Sequence, residues 1–162
     1  MAKNPDPSLA LTTSAGVTRT VDDWSTMFQL CLVVLPGRSE GTAWIPVAER
    51  IFATFGDADC KCAFVVAGSA EVARRMLGPV ECDVMTFVDP DLELVTSLGL
   101  ERLPAFVFLR QDTSLAASAE GWDPGDWQRV ARQVAKAMAW TVPEVRGAGD
   151  PPRNGGWPVV PA

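Results

Sequence analysis

Four cysteines and no histidine set the chemistry open to this 162-residue chain. The only close pair is Cys60-Lys61-Cys62, a Cys-x-Cys dithiol that in principle exchanges with substrates, with Cys82 a further candidate thiol. Catalysis of that kind needs an exposed thiol whose pKa is depressed. The absence of histidine removes the usual neutral-pH base, the commonest metal ligand and every Ser-His or Cys-His arrangement. A metal would need several thiolates to converge, and no metal or other cofactor is expected. A second polar cluster, Ser39, Glu40 and Thr42, lies just before a helical pattern. With no histidine or nearby lysine to activate a hydroxyl, capping of that helix is the preferred role.

The elements that position these residues are legible from hydropathy. Residues 29–35 (QLCLVVL) form a continuous apolar run of strand length, as a parallel strand covered on both faces requires. Pro36-Gly37 ends it. Over residues 42–55, Trp44, Val47, Ala48, Ile51, Phe52 and Phe55 recur at spacings of three and four, predicting a helix on the sheet, with Pro46 absorbed by its first turn or a kink. A strand is predicted at 62–67, a helix capped by Ser69, a strand at 84–88, and a helix started by Asp89-Pro90 that runs to Leu98. The strand 106–110, a hairpin turn at 111–114, a strand at 115–120 and a helix from Asp123-Pro124 complete the pattern. Thr20 caps a short helix ahead of the first long strand.

Alternating strands and helices of this kind specify an α/β sheet. In such sheets ligands gather at the carboxyl ends of the strands. Cys31, Cys62 and Cys82 fall near the N-terminal ends of their predicted strands and Cys60 just before one. They are read as small buried hydrophobes, ahead of a structural disulfide, redox sensing or metal binding.

Length and 48% hydrophobic content suit one domain with tails. Residues 1–17, polar and aperiodic, are expected to be a flexible arm, residues 18–140 the folded domain, and residues 141–162 a Pro/Gly-rich tail holding no regular core element. In that tail Trp157-Pro158-Val159-Val160-Pro161 has the make-up of a partner-docking peptide, although a disordered end is the preferred reading. The net charge of −6, with scattered arginines, argues against a nucleic-acid partner. No apolar run is long enough for a signal segment or a membrane span, so a cytoplasmic protein without a membrane partner is expected.

The stretch LVTSLGLERLPAFVFLR (residues 94–110) resembles the helix, glycine turn, cis-proline and strand of the thioredoxin superfamily. The element order from about Thr20 to Ala139 resembles it too, with the extra strand-helix unit of the peroxiredoxin and cytochrome-maturation branch. The resemblance implies a thioredoxin-like α/β fold with a central mixed sheet of about five strands flanked by helices, a cis Leu103-Pro104 bond, and an edge position for the added segment. Aligning Pro104 and Pro46 with the family's two prolines places its Cys-x-x-Cys site within Arg38-Ser39-Glu40-Gly41, where this chain has no cysteine.

In the family the backbone beside the cis-proline pairs with an extended peptide, a form of β-augmentation that needs no thiol. The resemblance therefore implies a partner-binding groove built from Arg38, Ser39, Glu40, Trp44, Arg102, Leu103 and Pro104. The favoured reading is a redox-inactive protein-binding factor of chaperone or assembly type, analogous at family level to the thioredoxin-like accessory proteins of hydrogenase maturation. The alternatives are an atypical thiol-disulfide oxidoreductase or peroxidase using Cys60, Cys62 or Cys82, and a structural subunit of a larger complex.

Overall fold

The structure is a computed structural model that describes residues 2–159. In chain order its elements are β1 (Ala10–Thr13), β2 (Thr18–Thr20), α1 (Val21–Met27), β3 (Gln29–Pro36), a 3-10 turn (Ser39–Trp44), α2 (Ile45–Phe55), β4 (Cys60–Ala67), α3 (Ala70–Leu77), α4 (Val80–Asp83), β5 (Met85–Val88), α5 (Glu93–Ser97), β6 (Arg102–Leu103), β7 (Ala105–Leu109), β8 (Leu115–Glu120), α6 (Pro124–Met138) and β9 (Trp157–Pro158). The local signals act where their chemistry predicts. Thr20, Ser69 and Asp123 each accept a backbone N–H at a helix start, and Pro46 sits in the first turn of α2, where its missing N–H costs nothing.

Seven strands form one sheet in the order β2-β1-β5-β4-β3-β7-β8. Strands β3, β4 and β5 run parallel, β7 runs antiparallel to β3, and β8 and β1 extend the two sides. Apolar residues alternate through the central strands to make two cores. Cys31, Val33 and Leu35 face Trp44, Ile51, Phe55 and Trp127 on one side. Leu30, Leu32 and Val34 face Val21, Leu94, Val95 and Leu98 on the other. Burial of both faces explains why β3 reads as an unbroken apolar run.

Several expectations need correction. The sheet has seven strands rather than about five because residues 10–13, expected in a flexible arm, pair with both β2 and β5. Leu11 is buried in the second core, but a four-residue strand with two inward positions carries too little periodicity to be read. The strand expected at the edge, β4, is the middle strand of the sheet. Helix α5 starts three residues later than Asp89-Pro90 suggests. The Asp89 carboxylate still serves it, accepting from the N–H groups of Leu94 and Val95 at 3.1 and 3.0 Å across a turn in which Leu92 has φ 59°. Nor do Ser39 and Thr42 cap α2. The chain enters that helix through the 3-10 turn, Thr42 Oγ1 donates to the Ser39 carbonyl at 2.8 Å, and no side chain caps Trp44 at the helix start.

The largest departure is the tail. Residues 141–159 run as a strap over the α6 side of the domain. Val145 is fully buried, Gln128 bonds Pro143 and Val145, Arg50 pairs with Asp150 at 2.7 Å, and the Trp122 indole donates to the Pro151 carbonyl at 2.8 Å. Composition alone did not reveal this because the strap is held by side chains of the domain reaching its backbone, a pattern with no periodicity along the strap itself. Val160 and Pro161 of the expected docking peptide lie outside the described residues. Among the described residues no helix is long and apolar enough to cross a membrane.

Candidate functional site

At the carboxyl ends of β3 and β4 the chain makes two close approaches. Pro36 closes β3 and Gly37 passes so near β4 that a Cβ there would lie 2.2 Å from the Ala67 carbonyl oxygen, so no other residue fits. Arg38 then turns outward and binds Glu40 at 3.0 Å, which holds the Glu40 carboxyl below its ordinary value. The 3-10 turn that follows delivers Trp44 to the core, 2% exposed. From the other side, β7 begins beside the end of β3, with Ala105 opposite Val34. This places Arg102, Leu103 and Pro104 next to the loop, with the Leu103–Pro104 bond cis. The Glu120 carboxylate accepts from the N–H groups of Glu101 and Arg102 and fixes that turn.

Arg38, Trp44, Arg102 and Leu103 therefore converge, and what they converge on is the chain's own tail. Strand β9 pairs antiparallel with β6, Trp157 opposite Leu103 and Pro158 opposite Arg102. The Val159 N–H donates to the Glu101 carbonyl at 2.9 Å, and Trp122 and Asn154 exchange two backbone hydrogen bonds at 2.8 and 2.9 Å. The Trp157 ring meets the Trp44 ring edge-on at 5.6 Å, and the Arg38 guanidinium lies 5.0 Å from its centroid. Arg102 donates to the carbonyls of Gly155 and Gly156 at 2.6 and 3.2 Å. Gly156 has φ 74°, and a Cβ on it would lie 2.3 Å from the Leu103 carbonyl oxygen. Ser39 and Glu40 stay exposed at the lip, where the Glu40 carboxylate accepts from the Ser39 hydroxyl and from Arg38. Sequence reasoning missed Asn154, Gly155 and Gly156. Their Asn-Gly-Gly run before an aromatic residue was the available signal, since it permits the left-handed backbone that such a close approach demands.

The cysteines lie at the opposite pole. Cys31 and Cys62 are register partners near the start of β3 and β4, and Cys60 opens β4. Hydrogen bonding to the Cys62 thiol and then burial push the Cys60 thiol far above its ordinary pKa. Hydrogen bonding to Cys31 and burial do the same to Cys62. Both remain protonated thiols, the reverse of what a nucleophile needs. Cys82 is exposed, but it sits in α4 ahead of β5 rather than in a strand, where its thiol faces the Glu81 carboxylate at 3.9 Å. All four cysteines are free, and no group of three metal-ligating side chains converges among the described residues.

A mixed sheet with this order, helices on both faces and a cis-proline turn beside the first parallel strand define a thioredoxin-like fold. Comparison with solved structures gives the same answer. The chain is similar to a secreted disulfide oxidoreductase of Mycobacterium tuberculosis (TM-score 0.60, 14% identity, 80% of this chain and 96% of that one). It is similar to peroxiredoxin Q of Xanthomonas campestris (0.64, 14%, 82% and 92%) and to an exposed lipoprotein thioredoxin of Streptococcus pneumoniae (0.58, 19%, 81% and 97%). No protein-family model and no curated protein matches the chain.

Proposed function

We propose that this protein binds an extended segment of another protein in the groove beside Pro104 and does so without redox chemistry, as an assembly or maturation factor. The observation that carries this reading is the antiparallel pairing of the chain's own extended tail with Arg102–Leu103, which supports the groove as a place for a β-strand ligand. The composition of the Arg38-to-Thr42 loop, which has no thiol, and the protonated state of Cys60 and Cys62 support the absence of disulfide exchange.

The test is an insulin turbidity assay run beside partner capture from the native host. No turnover above background and capture of the same partner by a Cys60→Ser/Cys62→Ser chain support the reading. Turnover that disappears in that double variant contradicts it.

A further inference from the structure

The groove's resident is closely fitted to it and held mostly by hydrogen bonds at a partly exposed surface, and together these define what kind of outside ligand could replace it. Fit comes from three contacts. Gly156 allows the backbone to pass within contact of Leu103 and Gly121, positions where a Cβ would collide. Trp157 fills the space between Trp44 and Arg38. The third contact is Arg102, which reads two successive carbonyls. Replaceability follows from how little of the final stretch is buried. The strap as far as Pro151 is secured by buried Val145, the Arg50–Asp150 pair and the Trp122 indole. Beyond it, Arg153, Asn154, Gly155 and Pro158 are exposed, the Arg153–Asp123 pair is solvent-facing at the arginine, and the ladder is two residues long. Exposed ion pairs contribute little, and segments with few buried contacts open locally at small free-energy cost.

Resting on the reading of this groove as a peptide site, we infer that residues 154–159 are an exchangeable plug, displaced by an extended protein segment of the same chemistry: small flexible residues followed by an aromatic residue and a proline. Backbone pairing to Arg102–Leu103 gives such a segment its direction. The Trp44–Arg38 site selects the aromatic ring, the collision limit at Gly156 selects a small residue before it, and the position opposite Arg102 takes a proline because that residue's N–H is not needed there. The tether keeps the plug at an effective concentration of about millimolar. An outside segment therefore binds with its intrinsic affinity reduced by the fraction of time the groove is open, about tenfold weaker when the plug is docked nine-tenths of the time.

The test uses the full chain and a fluorescent peptide with the sequence of residues 152–159. Gly156→Val places a β-branched side chain where none fits and should release the plug, seen as loss of amide-exchange protection at Trp157 and Val159. Trp157→Ala provides a second release variant with a different cause. The released chains are expected to bind the peptide at least about tenfold more tightly than the wild type, and to lose most of that affinity for a version with Trp157 and Pro158 both replaced by alanine. Protection that persists in both variants, or equal affinity of wild-type and released chains, overturns the plug. Equal binding of the two peptides by a released chain overturns the ligand chemistry while leaving the groove a peptide site. Binding of neither peptide overturns the groove reading itself.

Discussion

The two poles of the central sheet hold opposite halves of what thiol chemistry would need. The carboxyl pole has the geometry, a cis-proline turn at Arg102-Leu103-Pro104 facing the Arg38 loop, and no cysteine. The amino pole has Cys31, Cys60 and Cys62 packed together, but their environment is apolar and hydrogen bonds among the thiols keep Cys60 and Cys62 protonated. Position and environment, more than residue type, decide reactivity here. A sulfur atom is a catalyst only where an electropositive, accessible site stabilises its thiolate. Elsewhere it fills space as a small hydrophobe.

Truncation should separate the poles most strongly. Trp44→Ala removes a large side chain that is 2% exposed and should cost about 3–5 kcal/mol in denaturant-induced unfolding. Cys31→Ala at the other pole removes a single buried atom and should cost only about 1 kcal/mol, close to the figure for one buried methylene. Equal losses would remove the energetic distinction between them. The burial of Trp44 also makes Trp44→Ala unsuitable as a clean probe of binding, so groove tests belong to Arg102, which is exposed.

The strap that carries the tail to the groove should respond next. Asp150→Ala leaves Arg50 half-buried without its carboxylate partner and should destabilise the chain by about 1–2 kcal/mol, discounted for partial exposure of the pair. Amide exchange along residues 145–151 should accelerate in parallel. An unchanged exchange profile would mean that the strap is held by its apolar contacts alone.

The smallest effect concerns the thiols. Cys60 and Cys62 have folded pKa values raised above the unfolded thiol value of about 8.5. The native state therefore binds more protons than the unfolded chain once pH exceeds that value. Stability should be unaffected below it and should fall as pH rises beyond it, and a Cys60→Ala/Cys62→Ala chain should show a shallower decline. At neutral pH, alkylation followed by mass spectrometry should label Cys82 first, since it is the exposed cysteine. Rapid labelling of Cys60 in the native chain would show that the amino pole is accessible after all.

How much could be read beforehand follows from where each signal resides. The helices α1, α2, α3 and α6, the strands β3 to β5, β7 and β8, and the site turn at Arg102-Leu103-Pro104 announce themselves through periodicity, caps and prolines within a few residues of one another. The groove's components Arg38, Trp44, Arg102 and Leu103 were accessible the same way. The short strands β1 and β2 were not, because they are four and three residues long and join the sheet only through the pairing of β1 with β5, which is distant in sequence. The tail was hidden for the related reason that its order comes from Arg50, Trp122, Arg102 and Trp44, residues 50 to more than 100 positions away along the chain or on the far side of a helix. Pro and Gly content reports the lack of internal structure, and says nothing of the docking that outside partners provide.

The central claim is that binding resides at the carboxyl pole and owes nothing to the cysteines. The most direct measurement titrates the peptide of residues 152–159 against two full-length chains that share the plug-releasing Gly156→Val substitution, one adding Arg102→Glu and the other Cys60→Ser/Cys62→Ser. Loss of the two charge-assisted hydrogen bonds from Arg102 should weaken binding by about tenfold or more relative to Gly156→Val alone, while the serine substitutions should leave it unchanged. Unaltered affinity with Arg102→Glu and lost affinity with the serine pair would contradict the account.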